Sequence, residues 1–173
     1  IALNEYRNLF SVMNQTISLF DDSIRNNVNI LNDLTEDQIH YYLDLATASD
    51  FVNLLPNGLD TFVGFNGSKL SGGEKQKVSL ARTLAKKSKF LILDEATASF
   101  DIGAEKKFDK YITQSHIYDI VIVISHREDI LKGLDKIFVV ENGVIIASGT
   151  FYELAAKSNI FNTILTQEKE KSA

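Results

Sequence analysis

Residues 69–101 read KLSGGEKQKVSLARTLAKKSKFLILDEATASFD, and the two ends of this stretch decide how the chain is read. At one end, Ser71-Gly72-Gly73-Glu74 has the form of a capping box, a serine followed three residues later by a glutamate. Val78, Ala81, Leu84 and Ala85 recur behind it at helical spacing. At the other end, residues 89–93 form an apolar run, as expected of a strand covered on both faces of a parallel sheet, and it runs into Asp94-Glu95.

Each end carries its own chemistry. A helix N-terminus presents unpaired N–H groups and the positive end of the helix dipole, so it attracts phosphate. Two glycines let the backbone approach an anion with no Cβ in the way. The acids arrive at the carboxyl end of a strand, where open α/β sheets bind their ligands. One carboxylate there can hold Mg²⁺ and its neighbour can orient and deprotonate a water. Taken alone, each feature also has an ordinary reading, as a capped helix and as a solvated pair of charges.

Working outward, residues 9–13 read as a short strand, followed by a polar break at Asn14-Gln15-Thr16. Residues 22–29 suit a short helix, and Thr35 with Gln38 forms a second capping box opening a helix to about Ala46. Residues 49–55 are a further helical piece stopped by Pro56, and residues 56–70 are a loop with glycines at 58, 64 and 67. Beyond the acids, residues 104–114 are helical, and residues 119–125 (DIVIVIS) are a second buried strand rich in β-branched residues. His126 ends that strand and should reach the same edge of the sheet as the acids. Residues 137–141 and 144–148 flank Asn142-Gly143, a strong hairpin signal, and helices follow at 150–157 and 159–167 before a charged tail that should fray. The opening IALNEYRN shows no helix cap and no strong period. Strands alternating with helices imply an α/β layered sheet, with the helix-rich 22–70 region as an insertion or subdomain.

Composition agrees with one globular domain or a large part of one: 173 residues, a single proline and no cysteine. Without cysteine there is no disulfide framework and no thiolate metal site, in keeping with a reducing cytosol. The net charge of −5 provides no basic stripe, so nucleic acid is not an expected partner. The longest apolar runs are strand-sized, and any membrane connection is expected through another segment or subunit.

The succession LSGGE, helix, FLILDEATASFD, helix, IVIVISH, hairpin resembles the ATP-binding-cassette (ABC) transporter ATPases over nearly the whole chain. The resemblance implies a P-loop NTPase-like (RecA-like) layered sheet with an inserted α-helical subdomain, incomplete on its N-terminal side. It divides the chain into a Q-loop strand and Q-loop (1–21), a helical subdomain with the signature motif (22–88) and a remainder (89–173). It further implies ATP and Mg²⁺ as cofactors. Ser71, Gly72, Gly73 and Glu74 match the signature motif, which contacts the γ-phosphate of ATP held by an opposing subunit. Asp94 matches the Walker B aspartate and Glu95 the catalytic glutamate. Asp101 lies in the D-loop, His126 matches the switch histidine, and Gln15 matches the Q-loop glutamine that serves metal and water.

SLFDDSIRNNV after Gln15 and LPNGLDTFVGFNGSKLSGGE before the helix look like the exporter branch. They imply a head-to-tail dimer with a second nucleotide-binding domain, docking to a transmembrane domain, and a place on the cytoplasmic face of a membrane. Phe65 stands where exporters often carry a glutamate, and Glu74 where glutamine is commoner. No G-x-x-x-x-G-K-[ST] phosphate cradle occurs, and no glycine is followed by lysine. The sequence is therefore expected to begin downstream of that cradle, to be inactive as an isolated chain, and to expose strand edges that invite self-association. Two alternatives compete: an ATPase segment of the chromosome-maintenance and DNA-repair type, and a non-enzymatic interaction fragment. No coiled-coil heptads precede the signature, which counts against the first.

Overall fold

The computed structural model describes residues 3–97, 100, 102–114 and 117–171. The chain forms two compact units, residues 1–124 and 125–173.

In the first unit, strands β1 (Phe10–Met13), β2 (Phe90–Asp94) and β3 (Ile120–Ile124) form a parallel sheet in the order β1-β2-β3. Phe10 pairs with Phe90, Phe90 with Ile120, and Asp94 with Ile124. Parallel strands need long crossovers. The first carries helices α2 (Ile24–Val28), α3 (Glu36–Leu45), α4 (Ser49–Leu54) and α5 (Gly72–Ala85), and the second carries α6 (Ile102–Gln114).

The starts of these helices are set locally. Ser23 caps α2, and both expected capping boxes form, at Thr35 with Gln38 and at Ser71 with Glu74. Helix α4 stops because Leu55, preceding Pro56, is extended at φ −74° and ψ 139°. The loop that follows folds into two short 3₁₀ turns, Gly58–Asp60 and Phe65–Gly67. Helix α1 (Leu3–Asn8) was not expected, since it is short and its sequence shows no cap and no strong period.

One core joins sheet and helices. Met13, Leu91 and Leu93 bury their side chains with Ile24, Ile39, Leu43, Val52, Val78 and Leu84. The opposite face corrects the sequence reading for β3, while Phe90 and Ile92 of β2 are half-buried there. Leu91 and Leu93 are fully buried, whereas Ile120, Ile122 and Ile124 remain about half exposed at 53%, 50% and 52%. An unbroken apolar run is compatible with burial on one face or both, and only the packing distinguishes them.

The second unit begins at Ser125. Helix α7 (Glu128–Lys132) was not read from the sequence, again because it is short. Strands β4 (Ile137–Glu141) and β5 (Val144–Gly149) form the expected antiparallel hairpin, with Asn142 and Gly143 at φ +49° and +77°. Helix α8 (Phe151–Lys157) opens with a third capping box at Thr150 and Glu153. Helix α9 (Asn159–Lys171) runs on into the tail expected to fray, where Glu and Lys are good helix formers. Leu131, Ile137, Val139, Phe151, Leu154, Phe161 and Leu165 make this unit's own core.

Candidate active site: a nucleotide-binding constellation

Asp94 is the last residue of β2 and Glu95 the first beyond it. Glu95 turns sharply out of the strand at φ +51°, the left-handed region that residues with a Cβ seldom enter. Its N–H donates to the carbonyl of Ile124 at 3.0 Å, so the turn is anchored on β3. Such a strained residue at a strand end is characteristic of functional sites. Gln15, just past the end of β1, donates from Nε2 to Glu95 Oε2 at 3.2 Å, across 80 residues of sequence. These three side chains share a cleft of about 220 Å³ with Met13, Ile17 and Gln76.

The donor set suits Mg²⁺. Asp94 offers a carboxylate, and Gln15, whose amide nitrogen is engaged by Glu95, keeps its carbonyl oxygen. Hard oxygens in such small number are what Mg²⁺ takes from a protein while phosphates and waters fill its other positions.

The glycine end is exposed. Ser71 Oγ accepts from Glu74 N–H at 3.3 Å, and Glu74 Oε2 accepts from Ser71 N–H at 2.7 Å. Glu74 is thus occupied with the cap, while the serine hydroxyl retains its own proton for donation. Gly72 and Gly73 have ordinary helical φ, and a Cβ added at either would meet nothing within 4 Å.

Between the two ends, the loop after Gln15 is clasped by side chains that sequence reasoning missed. Arg82 on α5 donates to Ser18 O at 2.6 Å, and burial lowers its pKa. Asn66, at φ +48° in the turn before the signature, accepts from Leu19 N–H at 3.1 Å. Asn27, completely buried, accepts from Phe20 N–H at 2.9 Å and donates to the carbonyls of Phe20 and Ser23 at 3.0 and 2.9 Å. The available signal for Asn27 was a polar residue between the apolar positions Ile24 and Val28; for Asn66 and Arg82 the sequence holds none. Gly67 sits against this clasp, where a Cβ would meet Leu19 Cδ1 at 3.0 Å.

Of the residues expected to form the site, the structure brings together Gln15, Asp94 and Glu95. His126, half-buried, belongs to the second unit, and Asp101 lies outside the described residues. Phe65 is 81% exposed in its 3₁₀ turn. A second, larger cleft of about 820 Å³ opens beside β1, lined by Tyr6, Phe10, Val12, Val28, Ile30 and Leu31, with Arg82 and Lys86 among its polar groups. Desolvation lowers the pKa of Lys86, whose ammonium donates to the carbonyls of Arg7 and Phe10 at 3.0 and 2.6 Å.

A parallel sheet with acids at a strand end and a glycine-opened helix defines a P-loop NTPase-like nucleotide-binding domain, and the comparisons name its family. The family model for ABC transporters matches residues 2–98. An ATP-dependent lipid A-core flippase of Shewanella frigidimarina is 37% identical over 92% of this chain and 27% of its own length. A multidrug resistance protein of Leptosphaeria maculans, sirA, is 39% identical over 91% of this chain and 13% of its own length. A bacterial Atm1-family ABC exporter with ATP bound superposes with a TM-score of 0.87 at 29% identity, over 97% of this chain and 30% of that one. The chain belongs to the ABC transporter family, and it spans about a quarter of the length of the flippases it matches. The flippases and the exporter it matches share with it the stretch that the ABC transporter family model covers, an ATP-binding region.

Proposed function

We propose that this chain hydrolyses ATP as part of an exporter, with its two ends serving two different ATP molecules. The observation that carries the reading is the cleft in which Gln15 contacts the carboxylate of Glu95 beside Asp94. Glu95 acts as the general base, accepting a proton from the attacking water. Gln15 orients that carboxylate through its amide. Asp94, with the Gln15 carbonyl, would hold Mg²⁺, which neutralises charge on the phosphate oxygens when bound. His126, by resemblance, contacts the terminal phosphate, and Asp101 communicates across a dimer.

Ser71, Gly72 and Gly73 present N–H groups and a hydroxyl to the γ-phosphate of ATP held by a second nucleotide-binding domain in a head-to-tail dimer, with Glu74 bracing their helix. The open surroundings of both glycines support this reading. Neither glycine is required by its own backbone, since a Cβ added at either would meet nothing within 4 Å. The helical subdomain and the loop after Gln15 are the surface on which a transmembrane domain docks, on the cytoplasmic face of a membrane. Among the described residues, no helix is long and apolar enough to cross one itself.

The test is Glu95→Gln in the full-length protein that carries this chain. Removing a general base lowers turnover by roughly 100-fold or more, with MgATP still bound. Near-normal turnover would overturn the assignment.

A further inference from the structure

Gln76 lines the cleft of the acids but belongs to no motif assigned above. It lies on α5, and its Nε2 donates to the backbone carbonyl of Glu95 at 2.9 Å in a half-buried position. Glu95 is the residue whose placement needs holding, because it leaves β2 through a left-handed conformation. Its N–H is tied to Ile124 on β3 and its carbonyl to Gln76 on α5. With both neighbouring peptide groups anchored on different elements, the direction of the side chain is set, and Gln15 meets the carboxylate where it arrives.

The same helix begins at Ser71-Gly72-Gly73. Gln76 lies five positions after Ser71, a rise of about 7.5 Å along the helix. At its other end Arg82 holds the loop that follows Gln15. Helix α5 therefore touches the backbone of the base, the loop carrying the base's partner, and the phosphate-seeking end.

We propose that Gln76 is a positioning residue for Glu95, fixing its backbone and linking its placement to whatever binds the N-terminus of α5. The proposal rests on the reading of Glu95 as general base. The plainer alternative is a side-chain bond that only fills a helix–strand junction. Burial of Val78, Leu84, Leu91 and Leu93 already supplies that junction's packing, and Gln76 faces the cleft.

The experiment compares Gln76→Ala and Gln76→Glu in the full-length protein, reading steady-state ATPase activity, equilibrium MgATP binding and Tm. Gln76→Glu keeps the side chain's size but removes its donor at neutral pH. Both variants are expected to lose roughly 10- to 100-fold in kcat, the scale on which a misplaced catalytic group acts, with KM changed by less than about twofold. An unchanged kcat in both variants overturns the proposal, as does a fall in kcat accompanied by equal losses of MgATP binding and Tm. Glu95→Gln run alongside separates the two ideas. If it loses turnover while the Gln76 variants do not, only the positioning role fails. If it turns over normally, the functional reading itself fails.

Discussion

Two pairs of glycines lie within ten residues of each other, in opposite surroundings. Gly64 and Gly67 have φ of +75° and +70°, and a Cβ on either would press into the chain, on Ser68 Oγ at 2.6 Å or Leu19 Cδ1 at 3.0 Å. Gly72 and Gly73 are plain helical residues facing open space. The first pair is demanded by this chain's own backbone. The second meets no such demand among the described residues, and that open space is what the proposed approach of a nucleotide to this helix end would need. The backbone thus requires glycine at the first pair, and only the proposed function requires it at the second.

Three substitutions break or sharpen that contrast. The largest effect is expected from Gly73→Val. In the full-length protein it should lower ATPase turnover by roughly 100-fold, the scale of losing a transition-state anion contact, while Tm stays close to wild type. A normal rate would mean that the open space at Gly73 is never filled. Gly67→Val should do the converse by forcing a branched residue to positive φ against Leu19. A loss of about 1–3 kcal/mol in urea unfolding is expected, and unchanged stability would show that the loop clasp yields cheaply. Smallest and opposite in sign is Gly72→Ala, which should stabilise the chain by up to ~1 kcal/mol in the same assay while lowering ATPase activity. Such a mutation separates the two demands most directly, and a destabilised Gly72→Ala would refute the claim that Gly72 has no structural role.

How far the fold could be read in advance follows from the range of the interactions involved. Both capping boxes, the stop before Pro56 and the Asn142-Gly143 turn depend on contacts across one to three residues, and all formed as the sequence indicated. Helices α1 and α7 escaped because they are short and carry no local signal such as the Pro56 stop after α4; Arg127 makes no side-chain cap at α7. The uncovered side of β3, with Ile120, Ile122 and Ile124 half exposed, escaped because apolar runs do not declare how many layers cover them. Motif order had pointed to Gln15, Asp94 and Glu95, which the structure brings into one cleft. Gln76, Asn27, Asn66 and Arg82 were not legible, since polar residues on helices and loops look alike until their partners are known.

By itself, then, the sequence determined where α5 begins and where β2 gives way to two acids. These depend on neighbouring residues, whose geometry is fixed by capping hydrogen bonds and by the strand's alternation. Only the tertiary structure decided which groups meet across long separations: the amide of Gln15 on a carboxylate 80 residues away, and that of Gln76 on a carbonyl 19 residues away. The reason is geometric. Strand order and the rotation of α5 against the sheet set those distances, and both arise from burying Val78, Leu84, Leu91 and Leu93 together rather than from any local signal.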